Sequence, residues 1–128
     1  MKIKKQDVDV RLAIDGATLR RRLDFGSVSG YDRMSGEYFT LAKGVDTTPL
    51  FKGLEGDLCQ CPHWGFVLEG RLTTTDRDGR QETVCKDDLF YWPPGHNVRV
   101  EEDASIIMFS PQDEHSHVID HMIAKVGA

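Results

Sequence analysis

Hydrophobic residues recur at every second position through much of this chain, and that period suits strands, not helices. Val8, Val10, Leu12 and Ile14 alternate with Asp9, Arg11 and Ala13, the pattern of a strand with one buried face. Asp15-Gly16 signals a tight turn. Leu19, Arg21, Leu23 and Phe25 then oppose Arg20, Arg22 and Asp24, a weaker second strand. Further short strand segments follow at Glu37–Leu41, Phe66–Leu68, Arg71–Thr75, Gln81–Cys85, Leu89–Trp92, Val98–Val100 and Ile106–Phe109. Asp76 to Arg80 is a hairpin signal, Glu69-Gly70 closes a buried strand, and Gly26–Gly36 and Gly44–Gly56 read as loops. Many short strands separated by turns predict a sandwich or a barrel. Only the tail changes period. Val118, Ile119, Met122, Ile123 and Val126 share a helical face, which predicts a helix over about 111–126. Ser110 is expected to cap it, Pro111 to take its first position, Gly127 to end it, and the helix to pack outside the barrel.

The length of 128 residues suits one domain with one core. We expect N-terminal strands within 1–42, chemistry-bearing segments at 57–70 and 87–100, and the terminal helix. A formal net charge of −5 repels a phosphate backbone, so no nucleic-acid partner is expected. Arg20-Arg21-Arg22 reads as a solvated strand edge. No apolar run approaches the roughly 20 residues that cross a bilayer, so no membrane partner is expected either. The basic start, Met1 to Asp7, is not followed by an apolar segment, so the chain is expected to stay in the cytosol. Three cysteines cannot all pair within the chain. Cys59 and Cys61 would lie about 6.6 Å apart along a strand, whereas a disulfide needs Cβ atoms about 3.8 Å apart. Reduced thiols are the simpler expectation, with Cys85 as core packing.

The chemistry concentrates in two places. Cys59, Cys61 and His63 fall within five residues and run into Trp64-Gly65-Phe66-Val67-Leu68-Glu69-Gly70. Trp92-Pro93-Pro94-Gly95-His96 supplies a second imidazole after a rigid turn. Thiolate and imidazole together suit a transition metal, zinc first and iron(II) second, and not magnesium or calcium. In a straight strand Cys59 and His63 would lie about 13 Å apart, too far to share one ion, so the reading requires a bend, for which Pro62 is the natural place. The alternative is plain packing, with the cysteines as small hydrophobes, His63 as a satisfied core imidazole and His96 bonded to its own turn. Asp57 reads as a ligand, as a partner that orients an imidazole, or as a solvated loop acid. Trp64, Phe66, Tyr91 and Trp92 are either core or the wall of a ligand cavity. His115, His117 and His121 are assigned to a solvated face of the terminal helix, although His117 and His121 share a face.

These segments resemble the two motifs of the cupin superfamily. Asp57 to Gly70 stands where the first motif has two histidines, a glutamate and a strand ending in glycine. Asp87-Asp88-Leu89-Phe90-Tyr91-Trp92-Pro93-Pro94-Gly95-His96 is similar to the second, which runs from glycine-aspartate through a strand and Pro-x-Gly to a histidine. The resemblance covers roughly Gly44 to Ser110. It implies an all-β fold, a jelly-roll β-barrel with a C-terminal α-helix. It also implies a small-molecule ligand in the barrel and a homodimer formed in part through N-terminal strands. The ligand set differs from the superfamily pattern. The two first-motif histidines fall on Asp57 and Cys59, the glutamate on His63, and the second-motif histidine on Val98, two residues past His96. The expected metal ligands are therefore Cys59, Cys61, His63 and His96, with Asp57, Trp64, Phe66, Tyr91 and Trp92 as ligand-binding residues. Similar proteins include dioxygenases, isomerases and decarboxylases, so a metal-dependent oxygenase or isomerase type of enzyme is one expectation. A non-catalytic binder or sensor, metal-free or with a structural zinc, is the other, and no catalytic acid or base is singled out.

Overall fold

A computed structural model describes residues 1–127. After a short 3-10 turn at Lys5–Asp7 come β1 (Val10–Ile14), β2 (Ala17–Arg22) and β3 (Met34–Leu41), then a single helical turn, α1 (Thr48–Phe51), and a second 3-10 turn at Glu55–Asp57. The chain continues through β4 (His63–Asp76), β5 (Gln81–Cys85), β6 (Leu89–Trp92), β7 (His96–Pro111) and α2 (Gln112–Val126). All strand pairing is antiparallel, in the order β1-β2-β3-β7-β4-β5, with β6 added beside the first half of β4. This is the expected all-β jelly roll with a terminal helix.

The two longest strands are each read from the sequence as separate segments. β4 runs unbroken through Glu69-Gly70, which is a bulge and not an end: its register against β7 shifts between Val67 and Glu69 and again between Glu69 and Arg71. Gly70 holds φ +88°, and a Cβ there would stand 2.2 Å from the Asp103 carbonyl oxygen. Only glycine permits that approach. The bulge lets β4 pair with β6 at one end and with the start of β7 at the other, and so wraps the sheet around a cavity.

Two apolar clusters meet across that cavity. One is the barrel interior, centred on Val67, Leu72, Trp92, Val100 and Ile106. The other joins Leu12 and Leu19 of the N-terminal hairpin to Phe51 and to Val118, Ile119 and Met122 of α2. The helix therefore does not sit outside the barrel as expected: His115 and Met122 line the interior. Gly127 ends it in the left-handed conformation, as expected. Its start differs, because Pro111 is the cap residue and Ser110 makes no capping bond. Ser110 is fully buried and bonds elsewhere.

Two further expectations are corrected. Arg21 is not a solvated edge charge; it is 3% exposed and points inward with Leu19. Cys85 is exposed, since Val84 takes the inward position of β5.

Candidate metal and ligand site

The site forms where the segment before β4 crosses the start of β7. Cys59 N donates to the His96 carbonyl at 2.9 Å, and His96 N and Gly95 N donate back to the Cys59 carbonyl at 3.2 and 2.8 Å. These bonds pin the two motifs together before any side chain is considered. The chain then bends through Gln60, Cys61 and Pro62 to enter β4. As a result, Cys59 Sγ and His63 Nε2 lie 3.5 Å apart, where a straight strand would leave about 13 Å between the residues. Ligand atoms of Cys59, His63 and His96 all lie within 4.8 Å of one another, and all three residues are buried.

Hydrogen bonds fix the imidazoles. His96 Nδ1 donates to the Pro93 carbonyl at 2.7 Å, which leaves Nε2 with a free lone pair. Ser110 Oγ donates to Glu37 Oε1 at 2.7 Å. With its proton used there, it accepts from His63 Nδ1, also at 2.7 Å. His63 Nε2 is therefore unprotonated on the side facing Cys59. A ring nitrogen tied back in this way is the usual support of a metal-binding imidazole. Burial, with lesser effects from His115, His96 and Arg21, holds His63 well below the ordinary imidazole range. Burial lowers His96 to about 4, against the opposing effect of the Pro93 bond. Both rings are thus neutral ligands at pH 7. The Cys59 thiol is pushed up to about 12, chiefly by burial, so it is protonated unless a cation is bound beside it.

Behind these residues lies a buried polar network on β2, β3 and α2. Glu37 Oε2 accepts from Arg21 Nε at 2.8 Å, Ser35 Oγ at 3.0 Å and His115 Nδ1 at 2.5 Å. Arg21 also donates to Ser116 Oγ and to the Gln112 carbonyl, each at 2.8 Å, which seats the first turns of α2. Burial raises the Glu37 carboxyl, but His115, Ser110 and Arg21 outweigh it and hold the group below its ordinary value. The His115 ring is 4.4 Å from that of His63, centroid to centroid, and faces the same cavity. Glu37, His63 and His115 also bring ligand atoms together, yet the Glu37 oxygens are already taken by the donors named above. That group is a hydrogen-bonded support and not a vacant coordination site.

The remaining expected residues spread to different places. Cys61 is buried, but its Sγ faces the Pro62 and Pro111 carbonyls and the cluster under α2, so it is not brought into the Cys59, His63 and His96 group. Asp57 is exposed, and its Oδ1 accepts from Gly53 N at 2.9 Å, which is the loop-acid alternative. Trp64 and Tyr91 stack on each other on the outer face of the sheet, 46% and 49% exposed, and Phe66 follows Trp64 on that face beside Leu89. Of the four aromatics, Trp92 alone lines the cavity. His117 is exposed and His121 Nε2 bonds the Lys52 carbonyl.

The cavity measures about 70 Å³. About 10–15 Å³ of such space holds one water, so there is room for a few waters or a compact organic molecule. Its walls are aliphatic and aromatic, and Cys59, His63, His96 and His115 are the main residues with polar side chains among them. Sequence reasoning missed Arg21, Glu37, Ser110 and His115. The one available signal was Arg21 and Glu37 on the apolar faces of their strands, where an unpaired charge has no place.

No protein-family model matches the chain, and no curated protein does either. Solved structures do. The polyketide cyclase RemF from Streptomyces resistomycificus is similar at 19% identity and a TM-score of 0.60, over 87% of this chain and 78% of that one. An RmlC-like cupin from Shewanella frigidimarina is similar at 15% identity and a TM-score of 0.57, over 89% and 93%. This chain has the cupin fold. An oxalate decarboxylase of Bacillus subtilis with Mn(II) centers is also similar, at 22% identity and a TM-score of 0.56, over 83% of this chain and 28% of that one. At such identities the cupin likeness shows the fold and not the reaction.

Proposed function

We propose that this chain is a metal-binding cupin that takes a small organic molecule into its barrel and carries out an isomerase- or oxygenase-type reaction there. Cys59, His63 and His96 would hold a divalent transition ion. Zinc suits one thiolate and two neutral imidazoles best, and iron(II) is second. The observation that carries the reading is the convergence of those three donor atoms within 4.8 Å, with each ring fixed from behind. Three protein ligands leave a position for substrate or water, whereas a structural zinc would need a fourth, which Cys61 does not supply. When bound, the ion would polarise a carbonyl or activate oxygen or water.

The chain's own residues support that chemistry. The apolar walls exclude bulk water, which strengthens each electrostatic contact inside. Ser110 passes the His63 Nδ1 proton contact on to Glu37, so charge gained at His63 is met by a carboxylate one hydroxyl away. A metal-free binder is the second reading, favoured by the protonated Cys59 thiol and the apolar walls. Among the described residues no helix is long and apolar enough to cross a membrane. A homodimer is part of the proposal, supported by the exposed aromatic face of β4 and β6 and by Val10 on the edge strand β1.

Elemental analysis of protein purified without an affinity tag tests the reading. Stoichiometric transition metal, lost in Cys59→Ser and His63→Ala but kept in Cys61→Ser, is the expected result. Metal-free protein with an intact fold, which also fails to take up added zinc or iron(II), would overturn it in favour of the binder.

A further inference from the structure

Two imidazole nitrogens of the cavity are left without partners. His63 has both of its nitrogens occupied, Nδ1 by Ser110 Oγ at 2.7 Å and Nε2 by the Cys59 thiol at 3.5 Å. His96 and His115 each use Nδ1 alone, on the Pro93 carbonyl and on Glu37 Oε2, and the Nε2 of each makes no hydrogen bond among the described residues. Neither Nε2 is sealed in. Among the described residues, Trp92 Nε1 is the one buried side-chain nitrogen or oxygen that is both enclosed and unpartnered, so the two Nε2 atoms keep accessible surface. Both residues are buried and line the cavity, and neither borders the surface grooves beside α2 or beside β1 and β2. That surface therefore opens inward. In His96 the tautomer is fixed as well. Its Nδ1 carries the proton given to the Pro93 carbonyl, so Nε2 presents a lone pair.

Charge is the second observation. No lysine, arginine, aspartate or glutamate lines the cavity. Arg21, the buried cation behind the site, spends its donors on Glu37, Ser35, Ser116 and the Gln112 carbonyl. Glu37 in turn accepts from Arg21, Ser35, Ser110 and His115. A charged ligand would meet hydrocarbon with no free counter-charge. Among uncharged groups, a ketone oxygen only accepts and gains nothing from a lone pair, whereas a hydroxyl donates to one.

From the open lone pair and the uncharged walls, we propose that the cavity selects a compact, uncharged alcohol, whose hydroxyl donates to His96 Nε2 in the metal-free protein and whose hydrocarbon lies against the aliphatic walls. This rests on the reading that the barrel takes a small organic molecule, and it names the class of that molecule. With an ion on His96, the Nε2 of His115 is the atom left for the hydroxyl, which can pair with it as donor or as acceptor.

The test uses chelator-treated protein at pH 7 and three probes of similar size: butan-2-ol, butan-2-one, whose oxygen cannot donate, and propanoate, which is charged. Binding is followed by nitrogen-15 NMR of the imidazoles, with the His96 resonances assigned from His96→Leu. Butan-2-ol should move the His96 Nε2 resonance upfield, as expected when a lone pair accepts a hydrogen bond, and butan-2-one should not. His96→Leu should weaken the alcohol about three- to tenfold and leave the ketone within about twofold, which also shows that the variant cavity is intact. Propanoate should bind at least about tenfold more weakly than the alcohol. An unmoved Nε2 resonance in the wild-type protein, equal weakening of alcohol and ketone, or tighter binding of propanoate would each overturn the alcohol while leaving a small-molecule cavity. If none of the three probes binds, the small-molecule reading falls with it. Zinc titration of a separate sample reads the metal site independently.

Discussion

Ser110 holds the most informative position at the scale of single residues. Its one proton goes to Glu37 Oε1, so it can only accept from His63, and that sets which nitrogen of His63 is free. Ser110→Ala should keep the fold but weaken zinc binding about 10- to 100-fold, measured by calorimetry. Unchanged affinity would mean that His63 needs no support from behind. The buried imidazoles also set a pH dependence. In metal-free protein His96 has its pKa lowered from 6.5 to about 4, and His63 is shifted in the same direction. Between those values the unfolded chain binds protons that the folded chain refuses, so stability rises with pH. It should be complete above about pH 6.5 and fall as pH approaches 4, by on the order of 3 kcal/mol for His96 alone. Glu37, with its lowered value, adds a loss only below about pH 4.5. Urea midpoints across pH 8 to 4 check this, and a flat profile from pH 7 to 5 would contradict it.

At the scale of elements, the β4 bulge decides whether the barrel closes around the site. The Cβ of an alanine at Gly70 would meet the Asp103 carbonyl oxygen at 2.2 Å while holding φ +88°. Both strands must shift to admit it. Gly70→Ala should therefore cost about 2–4 kcal/mol, read as a lowered unfolding midpoint. A change under about 0.5 kcal/mol, the range of neutral surface substitutions, would show that the bulge relaxes freely. The helix α2 is the other deciding element. Arg21 anchors its first turns through Ser116 and the Gln112 carbonyl, and so carries His115 into the cavity. A run of three arginines in sequence thus becomes one buried anchor between more exposed neighbours, Arg20 and Arg22.

At the scale of the whole molecule, the outer sheet face is as distinctive as the interior. Leu89 is 84% exposed beside the stacked Trp64 and Tyr91, with Phe109 next to Trp64 across the sheet. In the proposed homodimer this exposed apolar face would be the interface, covered on both partners by a two-fold pair of copies. Sedimentation velocity should find a dimer that Trp64→Lys with Leu89→Lys dissociates without loss of the interior site. If Val10→Lys dissociates it instead, the interface lies along the β1 edge, and a wild-type monomer would remove it altogether. The period-two strands, the hairpin at Asp76–Arg80, the helical face of Val118, Ile119 and Met122, and the crowding of thiols and imidazoles at Cys59, Cys61, His63 and His96 were all legible in the amino-acid order, because alternation, turn residues and helical spacing act between near neighbours. The order of residues could not show that Cys61 and Tyr91 face away, that Glu69-Gly70 bends a continuous strand, or that Arg21, Glu37, Ser110 and His115 assemble behind the site. Those outcomes depend on contacts between segments tens of residues apart. Pairing a buried charge, placing a bulge and choosing which face looks inward are settled only when the sheet closes and the helix docks.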